Sequence, residues 1–162
     1  MLRQTRGVAA KRSAGILLFR RAGGETEVLL GHMGGPLWAR RDARGWTIPK
    51  GEYEPDEHPQ AAARREFMEE LGVPVPDGAL LELGEVRQSG GKTVTAWAIE
   101  ADLDPDAVVV GTFQLEWPKG SGQIGEFPEL DRVSWLDLDT ARDKIVAGQA
   151  TFLDRLAAYL RG

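Results

Sequence analysis

Residues 58 to 74 constrain this chain more tightly than any other segment, because a helix start and a helix stop stand one short helix apart. His58 reads as an N-cap, and Pro59 suits the first helical position, where a missing N–H does no harm. The helix is predicted to run from Pro59 to Leu71. Gly72 then suits a left-handed C-cap, and Pro74 forbids continuation. Boundaries set in this way leave Glu66, Glu69 and Glu70 in the last two turns. Glutamates there oppose the backbone dipole and repel one another, so positive charge has to come from elsewhere.

At about 100° per residue, Glu66, Glu69 and Glu70 span an arc of about 100°, with Ala62 inside it one turn earlier, and this arc is expected to be acidic and open. Ala63, Phe67, Leu71 and the stem of Met68 fall on another flank, the one expected to bury against a sheet. Arg65 stands beside Glu69 and braces it, but one guanidinium does not neutralise three carboxylates. Taken alone, a run such as "EFMEE" is usually a solvated helix face. Here the loop from Gly51 to Glu57 precedes it at a spacing that lets backbone approach the same face. Oxygen-only clusters suit hard divalent cations, and magnesium keeps several waters while bridging carboxylates to substrate phosphates. Mg2+, or alternatively Mn2+, is therefore the expected counter-charge, screening anion from anion and acidifying a bound water.

The rest of the chain reads as strands with two further helices. "SAGILLFRR" and "EVLLGHM" flank Ala22 to Glu25 as a hairpin, and "LLELGEVRQ" and "KTVTAWAIEADL" flank Ser89 to Gly91 as a second. Between them lie a basic, glycine-bounded loop, "GGPLWARRDARG", and a short apolar run from Trp46 to Pro49. "TFQLEW" at 112 to 117 is a weaker strand, and 118 to 125 is expected to be a flexible loop. "RVSWLDL" is predicted as a last strand leading into a helix over 137 to 146, and "QATFLDRLAAYL" as an amphipathic closing helix. Strands interspersed with three helices imply an α/β chain with a mixed sheet and helices packed on it.

A chain of 162 residues, 42% hydrophobic, suits one domain over 1–162, with a short basic lead at 1–12. Its 20 basic against 25 acidic residues give a net charge of −5, which argues against a general binder of nucleic acid or anionic membrane. The absence of cysteine excludes thiolate metal sites. Neither a secretory leader nor a run of about 20 apolar residues is present, so a cytoplasmic location is expected.

Residues 51 to 73 resemble the signature of the Nudix hydrolases: Gly, five residues, Glu, seven residues, Arg-Glu, an apolar residue, any residue, Glu-Glu, any residue, Gly and an aliphatic residue. Gly51, Glu57, Arg65, Glu66, Phe67, Glu69, Glu70, Gly72 and Val73 supply it without a departure. The likeness extends over roughly residues 12 to 145. It implies an α/β/α sandwich around a central mixed sheet, and hydrolysis of a phosphoanhydride in a nucleoside diphosphate linked to another moiety. Glu66, Glu69 and Glu70 match the family's metal ligands, with the backbone of Gly51 or the carbonyl of Lys50 completing the shell. One of Glu69 and Glu70 matches the residue that helps deprotonate water. Arg65 matches the arginine that orients a glutamate, and Glu57 a supporting position. The overall similarity leans toward bacterial enzymes acting on dinucleoside polyphosphates or nucleoside triphosphates. A non-catalytic nucleotide sensor on the same fold is the alternative.

Outside that signature, Glu129 is the leading candidate for a further catalytic carboxylate and Glu126 the second. Lys50 is positioned to hold a phosphate as a point charge; Arg40, Arg41 and Arg44 are candidates for the same task, with Arg87 and Lys92 weaker. Trp38, Trp46, Trp97, Trp117 and Phe113 are candidates to stack on a base, although aromatics more often fill cores. His32 reads as an ordinary strand residue.

Overall fold

The computed structural model describes residues 11–162, so the first ten residues of the expected basic lead lie outside the described residues. Strands β1 (Arg12–Ala22) and β2 (Glu25–Met33) form the first hairpin, turning at Gly23 and Gly24 with φ of 60° and 85°. Then come β3 (Trp46–Thr47), β4 (Lys50–Glu52), α1 (Pro59–Leu71), β5 (Leu81–Arg87) and β6 (Thr93–Glu100). β7 (Thr112–Glu116), β8 (Ile124–Pro128), β9 (Leu130–Asp137), α2 (Leu138–Lys144) and α3 (Ala150–Arg161) complete the chain.

Seven strands make one mixed sheet in the order β3-β2-β1-β6-β5, with β4 also pairing with β1 and β9 with β2. β1 runs parallel to β6, from Arg12 opposite Thr93 to Phe19 opposite Glu100, and antiparallel to β2 and β4. A strand buried on both faces reads as a continuous apolar run, and Ser13 to Phe19 are all buried. Alternation sorts these residues between two cores. Ala14, Ile16 and Leu18 meet Ala62, Ala63, Phe67 and Leu71 of α1, while Leu17 and Phe19 join Ala141 of α2 and Phe152, Leu153 and Leu156 of α3. The α/β/α sandwich expected from the sequence is therefore present.

Three expectations change. The glutamate arc is not open along its length, because Ala62 is fully buried and strand β4 lies against its C-terminal end. Met68, expected to bury its stem, is 48% exposed. Residues 118 to 125 do not form a loop throughout: β8 begins at Ile124 and pairs with β7 from Glu116 opposite Ile124 to Thr112 opposite Pro128. This two-stranded ribbon is separate from the main sheet; β7 alternates Phe113 and Leu115 with polar residues, but β8 emerges from a Gly- and Pro-rich turn without such alternation, which leaves the second strand unmarked. The tip is held by Glu116, whose carboxylate accepts from the N–H groups of Gly120 and Gly122 at 3.1 and 3.0 Å.

The segment that delivers Lys50 to the site is fixed by a residue with no signature in the sequence. Gln149 is fully buried; its Oε1 accepts from Ile48 N–H at 3.0 Å, and its Nε2 donates to Thr47 Oγ1 at 3.0 Å. Leaving a buried N–H without a partner costs about 1–3 kcal/mol. Gln149→Leu is therefore expected to lose about that much stability in urea unfolding, and an unchanged midpoint would show that the Ile48 N–H finds another acceptor.

Candidate active site

The site is built from the last two turns of α1. The caps form as the sequence predicts: His58 Nδ1 accepts from Gln60 N–H at 3.2 Å, and Gly72, at φ 70°, donates to Met68 O at 2.8 Å. No basic side chain lies in the last turn. Arg65 instead gathers acids from one side. Its Nε and Nη2 donate to the two oxygens of Glu57 at 2.8 and 2.9 Å, and its Nη1 to Glu66 Oε1 at 2.9 Å and Glu69 at 3.3 Å. A forked, bidentate pair fixes both partners in orientation. The guanidinium consequently holds the Glu57 carboxyl below its usual range.

Glu70 points the other way, under β4, where Lys50 N–H donates to its Oε1 at 2.9 Å. Burial pushes its carboxyl up to about 8, with the like charges of Glu129 and Glu66 adding to the rise and the Lys50 N–H and ammonium opposing it. Glu66 is raised for the same first reason, burial, and by Glu69 and Glu129 as like-charged neighbours. Lys50 is half-buried; desolvation lowers its ammonium, while Glu70, Glu52 and Glu66 hold it charged. Lys92 adds a second positive charge near it.

Gly51 occupies the strand position facing Glu66. A Cβ there would fall on the Glu66 carboxylate, so only glycine leaves that carboxylate its place. A further acid arrives from much later in the chain by way of the helix end. Carbonyls in the last turn of a helix lack intrahelical partners. Val109 N–H donates to Leu71 O at 2.9 Å and Gly111 N–H to Glu70 O at 3.2 Å. Gly111 O then accepts from Glu129 N–H at 2.8 Å, and Glu129 O from Gly34 N–H at 3.0 Å. This backbone ladder sets Glu129 beside the acids of α1. Its carboxyl is raised by burial and lowered by Lys50.

The structure therefore brings Lys50, Gly51, Glu57, Arg65, Glu66, Glu69, Glu70 and Glu129 into one region. Several other candidates are placed elsewhere. Glu126 lies on the ribbon and accepts from Thr112 Oγ1 at 3.1 Å. Arg44 donates to the carbonyl of Arg142 at 2.7 Å and so caps the end of α2. Arg40 is exposed, and the Arg41 guanidinium sits 5.5 Å from the Trp38 ring centre, so neither arginine is among the glutamates' hydrogen-bond partners. Trp46 and Trp97 are buried in the cores, which removes them as stacking surfaces. His32 is fully buried, its Nδ1 2.7 Å from Asp131 Oδ1 and its Nε2 donating to the Arg41 carbonyl, which anchors the 38–41 turn.

Among the described residues, no three acid or histidine side chains stand converged as a finished ligand set. The pattern explains itself: Arg65 holds Glu66 and Glu69, while Glu70 turns toward Lys50 N–H. The donor chemistry nevertheless fits a hard dication. The acids offer only oxygen, Gly51 keeps a cradle open over Glu66, and Glu70 is a partly buried acid among like charges.

Comparison with known proteins agrees with this geometry. The NUDIX domain family model matches residues 9–156. No curated protein matches the chain. Ap4A hydrolase from C. elegans, solved as a binary complex, is 24% identical, covering 94% of this chain and 99% of that one at a TM-score of 0.67. The NUDIX domain of Shewanella oneidensis NrtR, complexed with ADP ribose, is 16% identical, covering 95% and 90% at a TM-score of 0.64. A mutT/nudix family protein from Listeria innocua is 15% identical, covering 96% of each chain at a TM-score of 0.62. At these identities the structural likeness speaks for the fold. No helix among the described residues is long and apolar enough to cross a membrane.

Proposed function

The chain belongs to the Nudix family of pyrophosphohydrolases, and from that premise we propose that it is a single-domain, Mg2+-dependent hydrolase of nucleotide phosphoanhydrides. Mn2+ serves the same site. Dinucleoside polyphosphates and nucleoside triphosphates are the favoured substrates, a preference supported by likeness to a protein solved as an Ap4A hydrolase. The observation that carries this reading is Glu70, a carboxyl pushed up to about 8 by burial and placed beside Glu66 and Glu129. An acid kept there at a cost in electrostatic energy points to a function that needs it.

Glu66, Glu69 and Glu70, with the Gly51 backbone, would hold the dication. When bound, it supplies charge neutralisation at the phosphates and a more acidic water. Arg65 keeps Glu66 and Glu69 in orientation, backed by Glu57. Lys50 meets the substrate's negative charge as a point cation, and its half-buried setting strengthens that interaction relative to water. Glu129, its carboxyl raised by burial and set beside Glu66 and Glu70, is suited to the role of general base. Most of the rate enhancement then comes from positioning and fixed charge.

Magnesium titration tests the site without assuming a substrate. A ligand that binds only the folded chain stabilises it by about 2.7 kcal/mol at 100 times its dissociation constant. The thermal midpoint is expected to rise by several degrees as Mg2+ or Mn2+ reaches millimolar levels, and an unmoved midpoint would count against the metal site. Incubation with a nucleotide panel in oxygen-18 water then shows which phosphorus is attacked. Binding without turnover would move the chain to the sensor reading.

A further inference from the structure

The loop "GGPLWARRDARG" is unused by the chemistry above, yet its first half borders a cavity of about 180 Å³ next to Glu129. Gly34 and Gly35 make the cavity possible. A Cβ on Gly34 would strike the Pro128 carbonyl, and one on Gly35, at φ 91°, would stand 2.9 Å from Phe113 Cζ. Two small residues thus allow the end of β2 to lie against the β7–β8 ribbon. Trp38 and Phe113 contribute the aromatic lining, Leu37 and Leu115 add apolar surface, and Glu129 is the one charged residue. The Trp38 turn is also anchored, since the Arg41 carbonyl takes a hydrogen bond from buried His32 and the Arg41 guanidinium lies 5.5 Å from the indole centre.

Resting on the hydrolase reading, the geometry points to this cavity as the seat of a purine base of the nucleotide substrate, with Trp38 and Phe113 as its specificity-determining residues. Size supports that occupant. Pockets for whole drug-sized ligands span about 300–1,000 Å³, so this smaller space suits one flat ring system and leaves sugar and phosphates outside. Chemistry supports it as well. Every base offers a π-face to an aromatic side chain, and a bicyclic base offers the larger one. Glu129 connects the two halves of the site: it lines the cavity, and its charge acts on Glu66 and Glu70. A ligand with a flat apolar end and a polyphosphate end fits that continuity. The anchored turn means that little ordering is required on binding.

The test measures binding in chelator, where no hydrolysis intervenes. Adenosine and ribose are titrated into the intact protein by NMR, following the Trp38 indole N–H resonance. Adenosine is expected to shift that resonance and to bind at least about 10-fold more tightly than ribose, on the stacking contribution of a single base. Trp38→Ala and Phe113→Ala are each expected to weaken adenosine by about 5- to 100-fold, and Trp38→Phe to restore most of the loss. Both side chains are partly exposed, and an unchanged far-UV spectrum confirms that the variants fold. Equal affinity for adenosine and ribose overturns the inference, as does wild-type binding by Trp38→Ala or stronger binding of hexanol than of adenosine. The two readings fail separately: adenosine binding without nucleotide hydrolysis in Mg2+ defeats only the hydrolase, whereas hydrolysis without base preference defeats only the cavity's role.

Discussion

Glu70→Gln is expected to lower turnover by at least about 100-fold, because removing a carboxylate that would hold the dication misplaces the reacting groups and an error of about 1 Å can cost that much, while the fold persists. The fold persists because burial already disfavours the charge: with its carboxyl pushed up to about 8, Glu70 holds a proton at neutral pH when no metal is present. Glutamine has the same shape, is neutral, and keeps an oxygen to accept from Lys50 N–H, which lies 2.9 Å from Oε1. In chelator the variant should therefore be as stable as the parent, or more so. The sign of the pH dependence follows from the same raised value. Between about 4.5, the ordinary glutamate value, and about 8, the folded chain keeps a proton that the unfolded chain has released, so this group's contribution makes stability fall as pH rises. The variant should lack that part of the slope, and should also lose much of the stabilisation expected of the parent on adding Mg2+. Steady-state turnover and melting curves with and without chelator read all three effects. Parent-like turnover in Glu70→Gln would refute the assignment.

Gly51→Ala is also expected to separate folding from activity. Gly51 is not among the glycines with positive φ, so alanine meets no backbone strain there, and its pairing with Ala14 on β1 needs only backbone. The added methyl would instead fall on the Glu66 carboxylate, at the free end of a flexible side chain that can swing aside. Stability should change by less than about 1 kcal/mol, because the residue that moves is not in the core. Activity should drop by at least about 100-fold, since misplacing a group by about 1 Å can cost that much. Displacing Glu66 also breaks its 2.9 Å pairing with Arg65. The measurements are a urea unfolding curve beside turnover at saturating Mg2+. Full activity would mean that Glu66 works from another position, whereas loss of folding would mean that β4 does not tolerate the methyl.

How much of this was legible beforehand varies by element, for physical reasons. α1 was readable to the residue because Pro59, Gly72 and Pro74 act through local sterics. Both main hairpins were readable from glycine turns between apolar runs. In the β7–β8 ribbon only β7 shows a period-two pattern, with Phe113 and Leu115 between polar residues, whereas β8 follows a glycine-rich turn and carries no such signal. Gln149 escaped notice because its role depends on Ile48 and Thr47, about a hundred positions away.

The sequence by itself determined the family, the sandwich, and the presence of three glutamates on one helix end, because spacing within a helix and around its caps is a local property. Only the tertiary structure decided the division of labour among the acids. Arg65 gathers Glu57, Glu66 and Glu69, β4 covers Glu70, and the ladder from Glu70 through Gly111 brings in Glu129 while leaving Glu126 on the ribbon. Burial and charge coupling are set by neighbours distant in the chain, and those neighbours exist only once the sheet and its flanking segments have closed around the helix.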